Sequence, residues 1–181
     1  NPVHIGHLIL ANYMLEFTYL DEVWFVVTPQ NPLKEIDSLL EEKIRLEMTR
    51  LAVKDFNRLI VSDIEFNMPK PSYTIDTLTK LKTENPDLEF TLVIGSDNWT
   101  RFPRWKDNER LAKEFKILIY PRLGEDIRIN GLYPENVRLV DAPVVEISSS
   151  FIREGIFAGK DMRAFLPNRV YDYILSNKLY K

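Results

Sequence analysis

An α/β fold built on a parallel sheet is what this sequence predicts, and three observations carry the expectation. Apolar runs of strand character alternate with segments of helical periodicity, the pattern of successive βα units. Two of those runs, residues 23–28 and 90–94, are continuously apolar or β-branched, as strands covered on both faces are. The chain is 181 residues long, enough to bury a substantial core, with no internal repeat, low-complexity tract or linker. Residues 1–181 are therefore read as a single domain.

The elements follow in order. Residues 5–19 are apolar on most sides, as a helix packed on a sheet would be. The run Val-Trp-Phe-Val-Val-Thr at 23–28 is the first strand, and Pro29 and Pro32 turn it into a loop. A helix starts from Ser38 as N-cap and carries Leu40, Ile44, Met48 and Leu51 at helical spacing. Residues 59–66 read as strand, and residues 67–72 as a proline-punctuated loop. A helix with Ile75, Leu78 and Leu81 on one face leads to the strand at 90–94, stopped by Gly95, Ser96 and Asp97. A helix over 108–115 precedes a strand at 116–120, and residues 125–134 read as a surface excursion. Residues 137–140 and 144–147 supply the last extended pieces, before two terminal helices, the second with Val170, Ile174 and Leu175.

Composition narrows the function classes. The chain carries 24 Lys and Arg against 27 Asp and Glu, a net charge of −3, whereas a dedicated nucleic-acid binder needs a basic excess. A small anionic ligand asks only for local positive potential, which helix N-termini and a few cationic side chains supply. No apolar run approaches the roughly 20 residues of a membrane span, and no basic-then-apolar leader opens the chain. Cysteine is absent, which excludes disulfides and thiolate metal sites. A cytoplasmic protein without a membrane partner is the expectation.

Three constellations carry chemistry. Both histidines of the chain lie in His4-Ile5-Gly6-His7, after Asn1-Pro2-Val3 and at the start of the first helix. Their spacing puts them near one face of the first turn, beside N–H groups that have no partner within the helix. Imidazole donors at a positive helix end suit the oxygens of a polyphosphate, while capping or packing competes on spacing alone. Zinc is disfavoured, because only distant carboxylates could complete the shell. The second constellation is Ile147-Ser148-Ser149-Ser150-Phe151-Ile152-Arg153. One hydroxyl can cap a helix while the others, with the guanidinium fork, can bond phosphate; a plain serine cap beside a solvated Arg is the competing reading. The third is Gly95-Ser96-Asp97-Asn98-Trp99 at the C-terminal end of a strand, where ligands of open α/β sheets collect, or simply an Asx-type turn. Shortly after it, Phe102-Pro103-Arg104-Trp105 offers an aromatic face to a flat ring or to the core.

Taken together these segments resemble the nicotinate-nucleotide adenylyltransferase family, within the wider group whose first helix opens on His-x-Gly-His. The opening is similar to the tail of that group's Gly-Ser-Phe-Asn-Pro-Val-His-x-Gly-His signature, and residues 147–153 to its Ile-Ser-Ser-Ser/Thr-x-Ile-Arg signature. Ser72-Tyr73-Thr74 and Gly95-Ser96-Asp97 followed by Phe102 and Trp105 resemble the pyridine-nucleotide branch, with order and spacing matching over nearly the whole chain.

The resemblance implies a Rossmann-like, doubly wound parallel sheet of the nucleotidyltransferase type with C-terminal helices. It implies transfer of AMP from ATP to nicotinic acid mononucleotide, a step of NAD biosynthesis, with Mg²⁺ carried mainly by the ATP phosphates and no protein metal ligands. His4, His7 and Arg153 would be the catalytic residues. ATP would meet His4, His7, Gly95, Asp97, Ser149, Ser150 and Arg153, with Asp97 near a ribose. The acceptor would meet Lys34, Ser72, Tyr73, Thr74 and Trp105, the tryptophan stacking on the pyridine ring. Lys106 stands where many relatives have an aromatic residue. A strand and a Gly-rich turn are expected ahead of Asn1, so the chain is expected to be part of a longer one. Competing readings are a relative acting on phosphopantetheine or an alcohol phosphate, and a non-catalytic nucleotide-binding module. A class I aminoacyl-tRNA synthetase fragment shares His-Ile-Gly-His, but the chain has no Lys-Met-Ser-Lys-Ser segment.

Overall fold

The computed structural model describes residues 1–29, 40–124 and 135–181. These form two compact units, Asn1–Lys70 with Glu146–Lys181, and Pro71–Val145. Both are α/β with parallel strands, as the alternation of elements predicts. Among the described residues no helix is long and apolar enough to cross a membrane.

In the first unit, helix α1 (Ile5–Phe17) leads to strand β1 (Val23–Val26), helix α2 (Glu42–Val53) and strand β2 (Leu59–Ser62). The two strands pair in parallel from Val23 opposite Leu59 to Val26 opposite Ser62, with α2 as the crossover that parallel pairing requires. The strand expected over 59–66 ends early. Ser62 Oγ takes the Ile64 N–H at 3.3 Å, and residues Ile64–Asn67 wind into a 3-10 turn. A hydroxyl bonding its own backbone competes with the ladder there. Helix α2 starts four residues later than its expected cap, at Glu42, so Leu40 lies outside it; Ser38 falls outside the described residues.

Helices α6 (Ser149–Phe157) and α7 (Asn168–Ser176) complete this unit. Ser148 caps α6 by accepting the Phe151 N–H at 3.1 Å, worth about 1 kcal/mol. Both helices end on the same reversal. At α6 the Lys160 N–H returns to Gly155 O with Gly159 at φ +70°, and at α7 the Leu179 N–H returns to Ile174 O with Lys178 at φ +52°. Met48, Ile152, Val170 and Ile174, all fully buried, make the centre of the core, in which α7 packs on α2 and α6 contributes Ile152 and Ile156. Arg58 closes the far end of α1 by donating to Leu15 O, Leu20 O and Asp21 O at 3.2, 3.1 and 2.7 Å.

In the second unit, α3 (Thr74–Glu84), β3 (Thr91–Gly95), α4 (Ser96–Arg101), α5 (Asn108–Glu114), β4 (Lys116–Tyr120) and β5 (Val137–Leu139) succeed one another. The strands run parallel in the order β3-β4-β5, and Gly95 pairs with Tyr120 at the C-terminal edge. Ile117, Leu118 and Ile119 of the central strand are buried, as a continuous apolar run should be. Residues 144–147 join neither sheet. Pro143, with no N–H to give a ladder, precedes them. The excursion expected over 125–134 lies outside the described residues.

Candidate active site

The phosphate-binding candidates of the first unit come together from opposite ends of the sequence. His4 is the N-cap of α1, in extended conformation at φ −135°, and its imidazole is buried. His4 O accepts the His7 N–H at 2.9 Å, while the His4 N–H donates to His7 Nδ1 at 3.2 Å. The two rings lie 3.8 Å apart, tilted by 44°. Because Nδ1 of His7 is an acceptor, the neutral ring carries its proton on Nε2, which makes that nitrogen the donor toward an anion.

The start of α6 locks onto this turn. Ser149 Oγ donates to Pro2 O at 3.0 Å, and Arg153 Nη1 donates to Asn1 O at 2.9 Å. Arg153 Nη2 reaches Ser150 Oγ at 3.1 Å. The hydroxyl–guanidinium turn and the paired imidazoles, far apart in sequence, thus form one corner rich in donors. In the same unit Arg45 is buried, and its guanidinium donates to Leu40 O, Thr28 O and Pro29 O at 2.9, 2.6 and 2.9 Å. Burial holds Arg45 below the usual guanidinium range, against the opposite pull of Glu42 and Tyr180. Arg45 therefore grips both flanks of residues 30–39, the segment that contains Lys34 and lies outside the described residues.

The second unit groups the remaining candidates. Gly95 ends β3 as the N-cap of α4, and a Cβ there would press on Asp97 Oδ1 and meet the Tyr120 ring and Arg122 side chain at 3.1 and 3.2 Å. The strand passes straight into a helix, where the sequence offers a ligand-collecting strand end or an Asx-type turn. Asp97 Oδ1 stands 3.7 Å from Arg122 Nε, and buried Ser96 accepts the Arg122 N–H at 2.8 Å. The Tyr120 hydroxyl is pushed up by burial, opposed by Arg122 and aided by Asp97.

Tyr73 is the N-cap of α3, with Thr74 its first helical residue, and Ser72 before it is buried. The opening N–H groups of that helix are available to an anion. Lys106 bonds Asp76 Oδ2 at 2.9 Å and sits 4.9 Å over the Tyr73 ring, tying the Trp105 loop to the head of α3. The Asp76 bond raises the Lys106 pKa. Trp105 leans on Phe102 with ring centres 5.6 Å apart, and its buried Nε1 has no hydrogen-bond partner among the described residues. Also among the described residues, no group of three or more His, Asp or Glu side chains converges as metal ligands would.

Arg122, Arg45 and Tyr180 are contributors that motif reading passes over. Arg122 follows the C-terminal end of a strand, so the strand-end rule that singles out Asp97 applies to it equally. Arg45 shares a helix face with the buried Met48, Thr49 and Ala52, and a cation in a core stripe is itself a signal. Tyr180, which bonds Asn1, leaves no trace in local sequence.

Parallel strands ending at Gly95 and Tyr120, and a His-x-Gly-His helix start clasped by a Ser–Arg turn, define a Rossmann-like fold of the nucleotidyltransferase class. Solved structures agree on the fold. The nicotinic acid mononucleotide adenylyltransferase of Plasmodium falciparum complexed with NaAD aligns at a TM-score of 0.83 and 23 % identity, covering 99 % of this chain and 92 % of that one. Residues 1–155 match the cytidylyltransferase-like family model. A probable nicotinate-nucleotide adenylyltransferase of Bacteroides fragilis is 53 % identical over 175 residues, spanning 97 % of this chain and 87 % of its own. One of Flavobacterium johnsoniae is 45 % identical, spanning 100 % of this chain and 94 % of its own. The chain belongs to the cytidylyltransferase-like family and, within it, to the nicotinate-nucleotide adenylyltransferases.

Proposed function

We propose that the protein is an adenylyltransferase that moves AMP from ATP to nicotinic acid mononucleotide, giving deamido-NAD and pyrophosphate, in the cytoplasm. The observation that carries the reading is the corner in which Ser149 and Arg153 bond the carbonyls of Pro2 and Asn1 beside the His4–His7 pair. It concentrates donors where a triphosphate needs them.

A phosphate oxygen of the mononucleotide attacks the α-phosphorus of ATP. The bond from that phosphorus to the bridging oxygen breaks, and pyrophosphate leaves with the electron pair. A phosphate monoester has its second pKa near about 6, so the nucleophile is anionic at neutral pH and needs no general base. The protein's task is to hold two repelling anions in line and to stabilise charge on the leaving group. His7 Nε2, His4 and Arg153 take the ATP phosphates, with Ser149 and Ser150 holding the turn. Gly95 and Asp97 take the nucleoside, with Asp97 toward ribose hydroxyls. Thr74 and its neighbours offer N–H groups to the nicotinate carboxylate, Trp105 offers its face to the ring, and Lys34 serves the acceptor phosphate. Mg²⁺ would be held mainly by the ATP phosphates and would neutralise part of their charge.

The test is pyrophosphate release with ATP, Mg²⁺ and one acceptor at a time: nicotinic acid mononucleotide, its amide counterpart and phosphopantetheine. The expected result is a dinucleotide product with the acid mononucleotide at the highest kcat/KM. A preference for phosphopantetheine would reassign the acceptor, and no product with any acceptor would leave a nucleotide-binding module.

A further inference from the structure

One half-buried polar contact ties the end of the described chain to its first residue. Helix α7 stops at Ser176, and the chain reverses: the Lys178 N–H donates to Leu175 O at 3.1 Å and the Leu179 N–H to Ile174 O at 3.0 Å. The reversal needs a left-handed residue, and Lys178 takes it at φ +52°; Tyr180 follows at φ +63°. Residues other than glycine rarely adopt such angles. Leu179 and Tyr180 pack on the core.

The fold puts this strained segment directly against the phosphate corner. The Tyr180 hydroxyl donates to Asn1 Oδ1 at 2.5 Å and lies 4.0 Å from Met48 Sδ. Asn1 is thereby held from two sides, its main-chain carbonyl by Arg153 and its side-chain carbonyl by Tyr180. Burial raises the phenol's pKa despite the pull of Arg153 and Arg45, so the hydroxyl remains a donor at neutral pH. Three residues after Asn1 comes His4, whose backbone N–H fixes the ring of His7.

We infer that Tyr180 is a positioning residue: its bond to Asn1 holds the turn that aims His4 and His7 at the ATP phosphates. The inference rests on the proposed adenylyl transfer and assigns the segment after α7 a part in the reaction that packing alone does not require.

Tyr180→Phe keeps the ring and removes only the donor. One neutral hydrogen bond is worth about 1 kcal/mol, or roughly 5-fold in an equilibrium or rate. The variant should bind a non-hydrolysable ATP analogue about 5-fold more weakly and lose about 5-fold in kcat/KM for ATP. KM for the mononucleotide should stay at the wild-type value, and Tm should fall by no more than the few degrees that one such bond implies. In an Asn1→Ala background, Tyr180→Phe should add nothing further. Wild-type analogue affinity in Tyr180→Phe overturns the inference, and so does a loss shared equally by ATP, mononucleotide and Tm, which marks a merely structural role. If the wild-type protein forms no dinucleotide, the adenylyl-transfer reading fails, and analogue affinity still decides whether Tyr180 shapes the phosphate corner.

Discussion

The corner around His4 and the group around Trp105 are assembled in different ways. In the first, Ser149 bonds a residue 147 positions away, Arg153 one 152 away and Tyr180 one 179 away, and the first two donate to main-chain carbonyls. In the second, Lys106 reaches only 30 positions to Asp76 and Arg122 only 26 to Ser96, and the ion pairs Lys106–Asp76 and Arg122–Asp97 are substantially exposed. A main-chain carbonyl fixed from a distant element sets backbone position, whereas an exposed ion pair is weak and adjustable. The reaction places the same unequal demands. In-line attack on phosphorus tolerates little displacement, while a stacking face and an opening helix turn can accommodate a ring with some latitude.

Substitutions should separate the two regions by size of effect and by which substrate feels it. His7→Ala removes a donor aimed at developing charge and should lower kcat by about 10²-fold or more, with circular dichroism and Tm near wild type. A variant with undiminished kcat/KM would remove His7 from the mechanism. Trp105→Ala comes next. Loss of ring stacking, worth about 1–3 kcal/mol, should raise KM for the mononucleotide roughly 5- to 100-fold and leave affinity for an ATP analogue unchanged. An effect on ATP instead would assign the tryptophan to the nucleotide. Lys106→Met is the mildest: an exposed pair contributes about 0–1 kcal/mol, so the mononucleotide KM should move less than about 5-fold. A larger change would show that the lysine does more than tether the Trp105 loop to α3.

Legibility in sequence follows the same divide. Helix α1 and strand β4 lie where continuous apolar character puts them, and the helix carrying Ile75, Leu78 and Leu81 lies where apolar spacing does. The strand after Arg58 is overextended by periodicity, which does not register that Ser62 turns its hydroxyl onto the Ile64 N–H. Gly95-Ser96-Asp97 is legible as the stop of a strand, whereas the helix α4 that opens there is not. In the site, the histidine pair and the Ser–Arg turn are visible as motifs, while their meeting is a matter of topology that no local window contains. The same holds for Arg45, whose three carbonyl partners flank residues 30–39, and for Tyr180.

The most direct test is a double-mutant cycle on kcat/KM for ATP with His7→Ala, Arg153→Ala and the double variant. Groups that stabilise one leaving pyrophosphate act as a unit, so the double variant should lose far less than the product of the two single losses. Losses that multiply in full, or an Arg153→Ala protein that turns over as fast as wild type, would contradict a shared phosphate corner.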